Sequence, residues 1–405
     1  MSPVQKYFST VHVWFCIIDQ TTFEAALDSA LDNGVDTEPL YETLVSASKP
    51  PEMAILVLCM YLLTQSADTW DTEYVFGPVY EVAKRTLAIS TCLSDPSVQM
   101  TQCAALLALF DFGHGRSTHA YHGLSQAAAL ARLIGMKPGK YGSSETCIPS
   151  EQRASLGNIW WGLFILDQYV HLDVRIRDLP LIMETPHAND LLPTRCAYWG
   201  LRDPSMGKAL AADTPLATSL ATFQRSAQAS ILLNRAHRWS REMIASGHLP
   251  SVKVVATLDQ SIRDLLNAMM NQDERWEAFC DSFAMCLCSM FIIFRPYLED
   301  SNSSQRQMVK EPVGENIEKA TVNTDFAIQF VTDLSLSFND HLEKHPSWLT
   351  NLAPPAIMSC VLAFEAIAVM DSKFEKKYKD ISGINASLKT FSKRWRVGLQ
   401  HLRSE

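Results

Sequence analysis

Glycine is scarce in this chain, at 16 of 405 residues. So few glycines do not suit a sheet-rich fold with many tight turns. A rich supply of Leu, Ala and Met favours helices instead. No glycine-rich strand-to-helix turn occurs, which excludes the backbone cradle a dinucleotide or a P-loop phosphate needs. No GxSxG elbow and no HExxH pair is found either, so no catalytic residue and no cofactor can be named from motifs. Excess positive charge is also missing. Lys and Arg number 35 against 44 Asp and Glu, for a formal net charge of −9. A surface that grips DNA phosphates carries a basic face, so direct DNA contact is not expected.

Long apolar runs are missing as well. The longest, 54–63 and 283–294, fall short of the roughly 20 residues that span a bilayer. They read as core helices, with no membrane contact and no secretory leader after Met1. Ten cysteines are present, but no CxxC pair. Structural zinc needs two thiolates on one short turn. Cys286 and Cys288 on a helix would point about 200° apart. Free thiols in a reducing compartment are the expectation. The densest basic groups, Lys376, Lys377 and Lys379, then Lys393, Arg394 and Arg396, read as solvated helix faces.

What is there is helical periodicity. Asp19 offers an N-cap for a helix through Leu27. Helices are expected from Pro51 to about Gln65, over 73–90, from Asp95-Pro96 through Phe110, and over 118–134, the last stopped by Gly135. Cys103, Leu106, Leu107 and Phe110 keep the spacing of one buried face. A long helix runs from Pro149 to His171. Others are expected at 216–245, 252–271, 276–298, 312–340, 355–371 and 384–403. Residues 1–20 read as extended, 172–214 as an irregular loop broken by prolines, and 299–311 as a flexible polar loop. The fold class is therefore all-α: a multi-helix array of packed helix pairs with an extended N-terminal segment, forming one domain over 1–405.

Three groups could carry chemistry. Asp111, His114, His119 and His122 fall close together, and His119 and His122 share a helix face. They could hold a metal, but polar contacts between packed helices account for them more simply, so no metal is assigned. Asp167, with His171 one turn on and Arg175 and Arg177 in the following loop, reads as an ion pair pinning the loop to the helix; a general base is the sharper alternative. Trp160 and Trp161 cannot share a helix face. One is expected in the core and the other at a groove or interface. His114, Trp160, Trp161, Asp167, His171 and Arg175 are the candidate ligand-pocket or regulatory residues.

Several segments, in order, resemble one family. Tyr7-Phe8-Ser9-Thr10-Val11-His12 is similar to its "YFstvH" opening, followed by Ile17-Ile18-Asp19 and Phe23. Tyr80 with Ala83-Lys84 resembles its "Y..AK" helix, and Gln102 with 104–110 its next one. The most specific block is Trp160-Trp161-Gly162-Leu163-Phe164-Ile165-Leu166-Asp167, similar to "WWglfilD". Leu191-Leu192-Pro193 matches "LLP". The chain thus resembles the fungal-specific transcription factor domain, the regulatory domain of fungal zinc-cluster transcription factors. The match is firmest over 7–235. It departs at Gly157-Asn158, where the family has a basic doublet, at Gln168, where it has arginine, and at Val174-Arg175-Ile176, where it has "GRP". The resemblance already begins near Tyr7, so no zinc cluster is expected.

The resemblance implies a nuclear regulator of transcription, acting on metabolic or secondary-metabolite genes without its own DNA-binding zinc cluster. It would need a protein partner, such as a DNA-binding factor or co-regulator, and could answer to a small-molecule effector. A homodimer is left open. The alternative is a small-molecule-binding protein or biosynthetic enzyme on the same scaffold.

Overall fold

The structure is a computed structural model. It describes residues 2–31, 51–65, 76–136, 150–193, 210–247, 251–272, 276–299, 313–374 and 381–401. The chain divides into two compact units. The first comprises Met1–Val170, Pro180–Thr214 and Ala221–Ala227, and the second His171–Leu179, Pro215–Leu220 and Gln228–Glu405. The all-α class holds. Among the described residues no strand forms, and Leu191 and Ala211 make an isolated antiparallel bridge.

The first unit opens with α1 (Pro3–Ser9) and a 3-10 turn at Val11–Val13. This corrects the extended N-terminal segment read from the sequence. The reason is local: the Gln5 backbone N–H donates to Ser2 Oγ at 3.2 Å, and the Ser2 N–H donates back to Gln5 Oε1 at 3.1 Å. That reciprocal cap, with Pro3 at the first helical position, outweighs the strand preference of the valines and aromatics. Helix α2 (Gln20–Leu31) starts on Asp19, whose Oδ1 accepts from the Thr22 N–H at 2.8 Å. Then follow α3 (Glu52–Thr64), α4 (Pro78–Leu93), α5 (Val98–Gly113), α6 (Ser117–Leu133) and α7 (Ser150–Val170).

Helix α5 is the centre of this unit: every residue from Met100 to Gly113 is buried. The sequence showed only one apolar stripe on it. The other faces are covered because α3, α4, α6 and α7 all pack against it. Helix α6 lies close: a Cβ added at Gly123 would sit 3.3 Å from Ala108 Cβ. It ends as expected at Gly135, where φ is 82° and the Met136 N–H reaches back to Ala131 O at 2.9 Å. Gly135→Ala forces a side chain into the left-handed region and should cost about 1 kcal/mol. A small fall in thermal midpoint with unchanged helix content would show it.

Gly162 on α7 is a tighter case. An added Cβ would overlap Ile17 Cγ2 and lie 3.6 Å from Phe15 Cε2, and both side chains are fully buried. Gly162→Ala should therefore destabilise by about 1–3 kcal/mol, although alanine is the better helix former by about 1 kcal/mol. Denaturant unfolding of the variant checks the sign. A stabilised Gly162→Ala would contradict the packing.

The second unit holds most of α8 (Thr222–Ser246), then α9 (Ala256–Met270), α10 (Cys280–Glu299), α11 (Val313–Lys344), α12 (Pro354–Phe374) and α13 (Ser382–Phe391). Helix α10 packs on α9, α11 and α12. It is longer than the apolar run that marked it, and by length and composition it could cross a membrane. Yet 89% of that window is buried inside the protein, which is the condition of a core helix.

The expected helix over 384–403 breaks after Phe391, with a turn leading to a 3-10 segment at Arg396–His401. The break seats Trp395, fully buried, with its indole N–H donating to Leu352 O at 2.6 Å. Arg394 follows it inside. Its guanidinium lies 4.2 Å from the Trp395 ring centroid, and burial lowers its pKa to about 9. Arg394 therefore departs from the expected solvated face, while Lys393 is exposed as expected. The lysines at 376, 377 and 379 lie outside the described residues, as do 137–149, 194–209 and 300–312, which take in most of the proposed flexible loop.

Cys59, Cys103, Cys286, Cys288 and Cys360 are free and buried. Burial pushes the thiols of Cys103, Cys286 and Cys288 well up, so they stay protonated and inert. Cys16 differs from the expectation of free thiols throughout, being disulfide-bonded.

Candidate functional site

The chemistry-bearing residues of the first unit fall into two places. One lies where α4 meets the end of α5. Asp111 is fully buried. Lys84 Nζ lies 2.6 Å from its Oδ2, and the Tyr80 hydroxyl donates to its Oδ1 at 2.7 Å. Tyr80 and Lys84 are four residues apart, so one face of α4 presents both to Asp111. Arg116, in the turn after α5, donates to the Tyr80 hydroxyl at 3.3 Å and stacks 4.2 Å from the Phe76 ring centroid. Its backbone N–H donates to Asp111 O at 2.8 Å. Burial, and then the Asp111 charge, raises the Tyr80 pKa. The phenol therefore stays a donor.

His114 sits beside this cluster, with its ring 4.3 Å from that of Phe110. Asp111 is held by Lys84 and Tyr80 rather than by the neighbouring histidines. Among the described residues no group of three or more His, Cys, Asp or Glu side chains could hold a metal. His119 and His122 instead line an open groove of about 690 Å³, together with Tyr80, Lys84, Arg85 and Arg116. Glu81 is the acidic side chain on that wall, and Arg85 pairs with it at 3.0 Å. The groove thus offers cationic and aromatic groups to an acidic or phosphate-bearing partner. Sequence reasoning did not pick Tyr80, Lys84 or Arg116 as site residues. The i,i+4 spacing of Tyr80 and Lys84 was the available signal.

The second place is the C-terminal half of α7. Trp160 and Trp161 are both buried, so neither faces a groove. Trp160 stacks on Phe164 at 5.6 Å, and the Trp161 indole N–H donates to Leu191 O at 2.8 Å. Asp167 is fully buried. Its Oδ2 accepts from the backbone N–H groups of Ile182 at 3.1 Å and Met183 at 3.0 Å. The loop is pinned to the helix, as expected, and backbone amides take part in the pinning. Two contacts from α6 reinforce it: the Tyr121 hydroxyl donates to Pro180 O at 3.0 Å, and Arg132 donates to Ile182 O at 2.5 Å.

Residues 4–181 match the model of a protein family, the fungal specific transcription factor domain. Over that stretch the chain is similar to a fungal specific transcription factor domain. No curated protein matches the chain. The matched stretch of this domain ends at 181, one residue before the first amide that Asp167 holds. The same domain's opening histidine, His12, has its Nε2 3.3 Å from Cys16 Sγ, and burial pushes its pKa down to about 4.

The sign of that shift gives a pH dependence. Because the folded pKa lies below the unfolded value of about 6.5, the unfolded chain binds the extra proton between them. The domain should therefore lose stability as pH falls from about 6.5 to about 4, by an amount on the order of 3 kcal/mol from this residue. Urea unfolding of the wild type and of His12→Asn across that range tests it. The variant should show a flatter curve, and parallel curves would sink the assignment.

The remaining candidates belong to the second unit. His171 is fully buried, with its ring centroid 6.0 Å from that of His237. Arg175 turns to Asp173, donating from Nε at 2.9 Å and from its terminal nitrogen at 2.7 Å.

Proposed function

We propose that this chain is a nuclear regulator of transcription that controls genes of a metabolic or secondary-metabolite pathway through a partner protein. The observation that carries this reading is the match of residues 4–181 to the fungal specific transcription factor domain. The indirect route is supported by the charge of −9 and by the lack of any CxxC pair in these 405 residues, since phosphate binding draws on clustered basic groups. The groove of Lys84, Arg85, Arg116, His119 and His122 suits an acidic segment of a DNA-binding factor. A second copy of this chain is the other partner consistent with it.

A tethering experiment tests the regulator reading. The chain is fused to an unrelated DNA-binding domain upstream of a reporter. The fusion should change reporter output several-fold relative to the DNA-binding domain alone. An intact, nuclear fusion that leaves the reporter level would contradict it. The competing reading is a small-molecule-binding protein on the same scaffold, and a cavity in the second unit favours it.

A further inference from the structure

Sixteen residues of the second unit's helices and of the 171–179 segment line a cavity of about 340 Å³ whose wall carries Arg177, Arg295, Glu299, Glu365 and Thr324. That volume is in the range of small-molecule pockets. Its wall sets two arginines against three carboxylates, Asp178 included, and the two arginines differ in their hydrogen bonding. Arg295 holds two carboxylates, Glu299 at 2.5 Å and Glu365 at 2.9 Å. Arg177 comes no nearer than 3.9 Å to Glu365, beyond hydrogen-bonding distance, although its side chain is only 14% exposed. Its Nε has no hydrogen-bond partner, and neither does Oγ1 of Thr324, a residue 2% exposed on the same cavity.

A buried guanidinium short of acceptors is costly to the fold unless an acceptor arrives. Burial and then the charge of Arg295 lower the Arg177 pKa, against the pull of Glu365, Glu299 and Asp178. Arg177 is fixed in place by its own backbone: Arg241 donates to Arg177 O from Nε at 3.3 Å and from its terminal nitrogen at 3.1 Å. Apart from Asp178 and Ser240 the rest of the wall is apolar, with Phe291, Ile292 and Leu362 inside. Val174 and Ile244, also on the wall, are 56% and 63% exposed.

We infer that this cavity binds a small organic carboxylate with a compact apolar body. The carboxylate would accept from Arg177 and from the Thr324 hydroxyl, and the apolar body would cover Phe291, Ile292, Val174 and Ile244. A planar guanidinium recognises a carboxylate through two parallel hydrogen bonds. A neutral amide of the same shape cannot replace both. Glu365 is then a competitor for Arg177 and sets how tightly the ligand is held. Asp178 at the exposed part of the wall opposes an anion, but water screens it. The inference stands apart from the regulator reading, because it concerns binding alone.

The test is calorimetric titration of the purified full chain with 4-phenylbutanoate and with its neutral amide, 4-phenylbutanamide. The carboxylate should bind about tenfold or more tighter than the amide. Arg177→Met should bring the two probes level. Glu365→Gln, which leaves both arginines in place, should tighten the carboxylate several-fold and leave the amide unchanged. Equal binding of the two probes, no binding of the carboxylate, or a preference for it that survives in Arg177→Met would overturn the inference. If Arg177→Met does not fold, the Glu365→Gln result decides alone. A reporter that responds in the tethering experiment while no probe binds would separate loss of this site from loss of the regulator reading.

Discussion

Asp167→Ala should be among the most damaging single substitutions in the first unit, costing about 3 kcal/mol. The carboxylate is fully buried and takes the backbone N–H groups of Ile182 and Met183. Truncation leaves both amides without an acceptor, at about 1–3 kcal/mol for each buried group stranded. Water can reach the part-buried Ile182 amide, which keeps the sum near the lower end. Asp167→Asn preserves an acceptor oxygen in the same place and should recover more than half of the loss. The effect should be local as well as global. Amide hydrogen exchange at Ile182 and Met183 should speed up in Asp167→Ala before the core of α5 is affected. Unchanged protection at those two amides would mean that Asp167 does not hold the loop.

The second large effect is expected at Asp111. Asp111→Leu removes the acceptor of both Tyr80 and Lys84 and leaves their donors at a buried helix junction. Breaking such a pair costs about 3–5 kcal/mol when the stranded charge is buried. Lys84 is 28% exposed, so its ammonium can swing to water and the expected loss is about 3 kcal/mol. The diagnostic is the double variant. Lys84→Met alone should cost less than Asp111→Leu alone, and Lys84→Met with Asp111→Leu should cost less than the sum of the two. Additive losses would show that the two side chains are not coupled. The same variants leave the outer groove residues Arg85, His119 and His122 in place. Partner binding that persists in them would assign recognition to the outer wall.

These two carboxylates show where sequence reasoning stopped. The helices were legible because their apolar rhythm and punctuation are local: Asp19 caps α2, and Gly135 ends α6. The family was legible from the order of short blocks, above all 160–167. Partners were not. Asp167 stood out as an acid on an aromatic helix, and the nearby arginines seemed its natural counter-charges. Its Oδ2 accepts from backbone amides 15 and 16 residues away, and amides carry no sequence signal. Asp111 was grouped with histidines three to eleven positions on, yet its ion pair is with Lys84, 27 positions back.

Other misses have similar causes. Residues 1–20 were read as extended, while the Ser2–Gln5 cap decided for a helix at Pro3–Ser9. Trp160 and Trp161 point to different sides of α7, as expected. Both sides are covered, so both are core. Arg177 was noted only as a loop residue near Asp167. Its place on the cavity depends on α10 and α12, more than a hundred residues away in the chain, and no local pattern reports that.

The most direct test of the regulator account is a transcript profile of a strain deleted for this chain, taken alongside its metabolites and compared with a strain carrying the restored gene. The account predicts that a set of genes for one pathway rises or falls together and returns on restoration. Level transcripts with a single accumulated pathway intermediate would contradict it, and would mean that the helical scaffold serves chemistry instead of transcription.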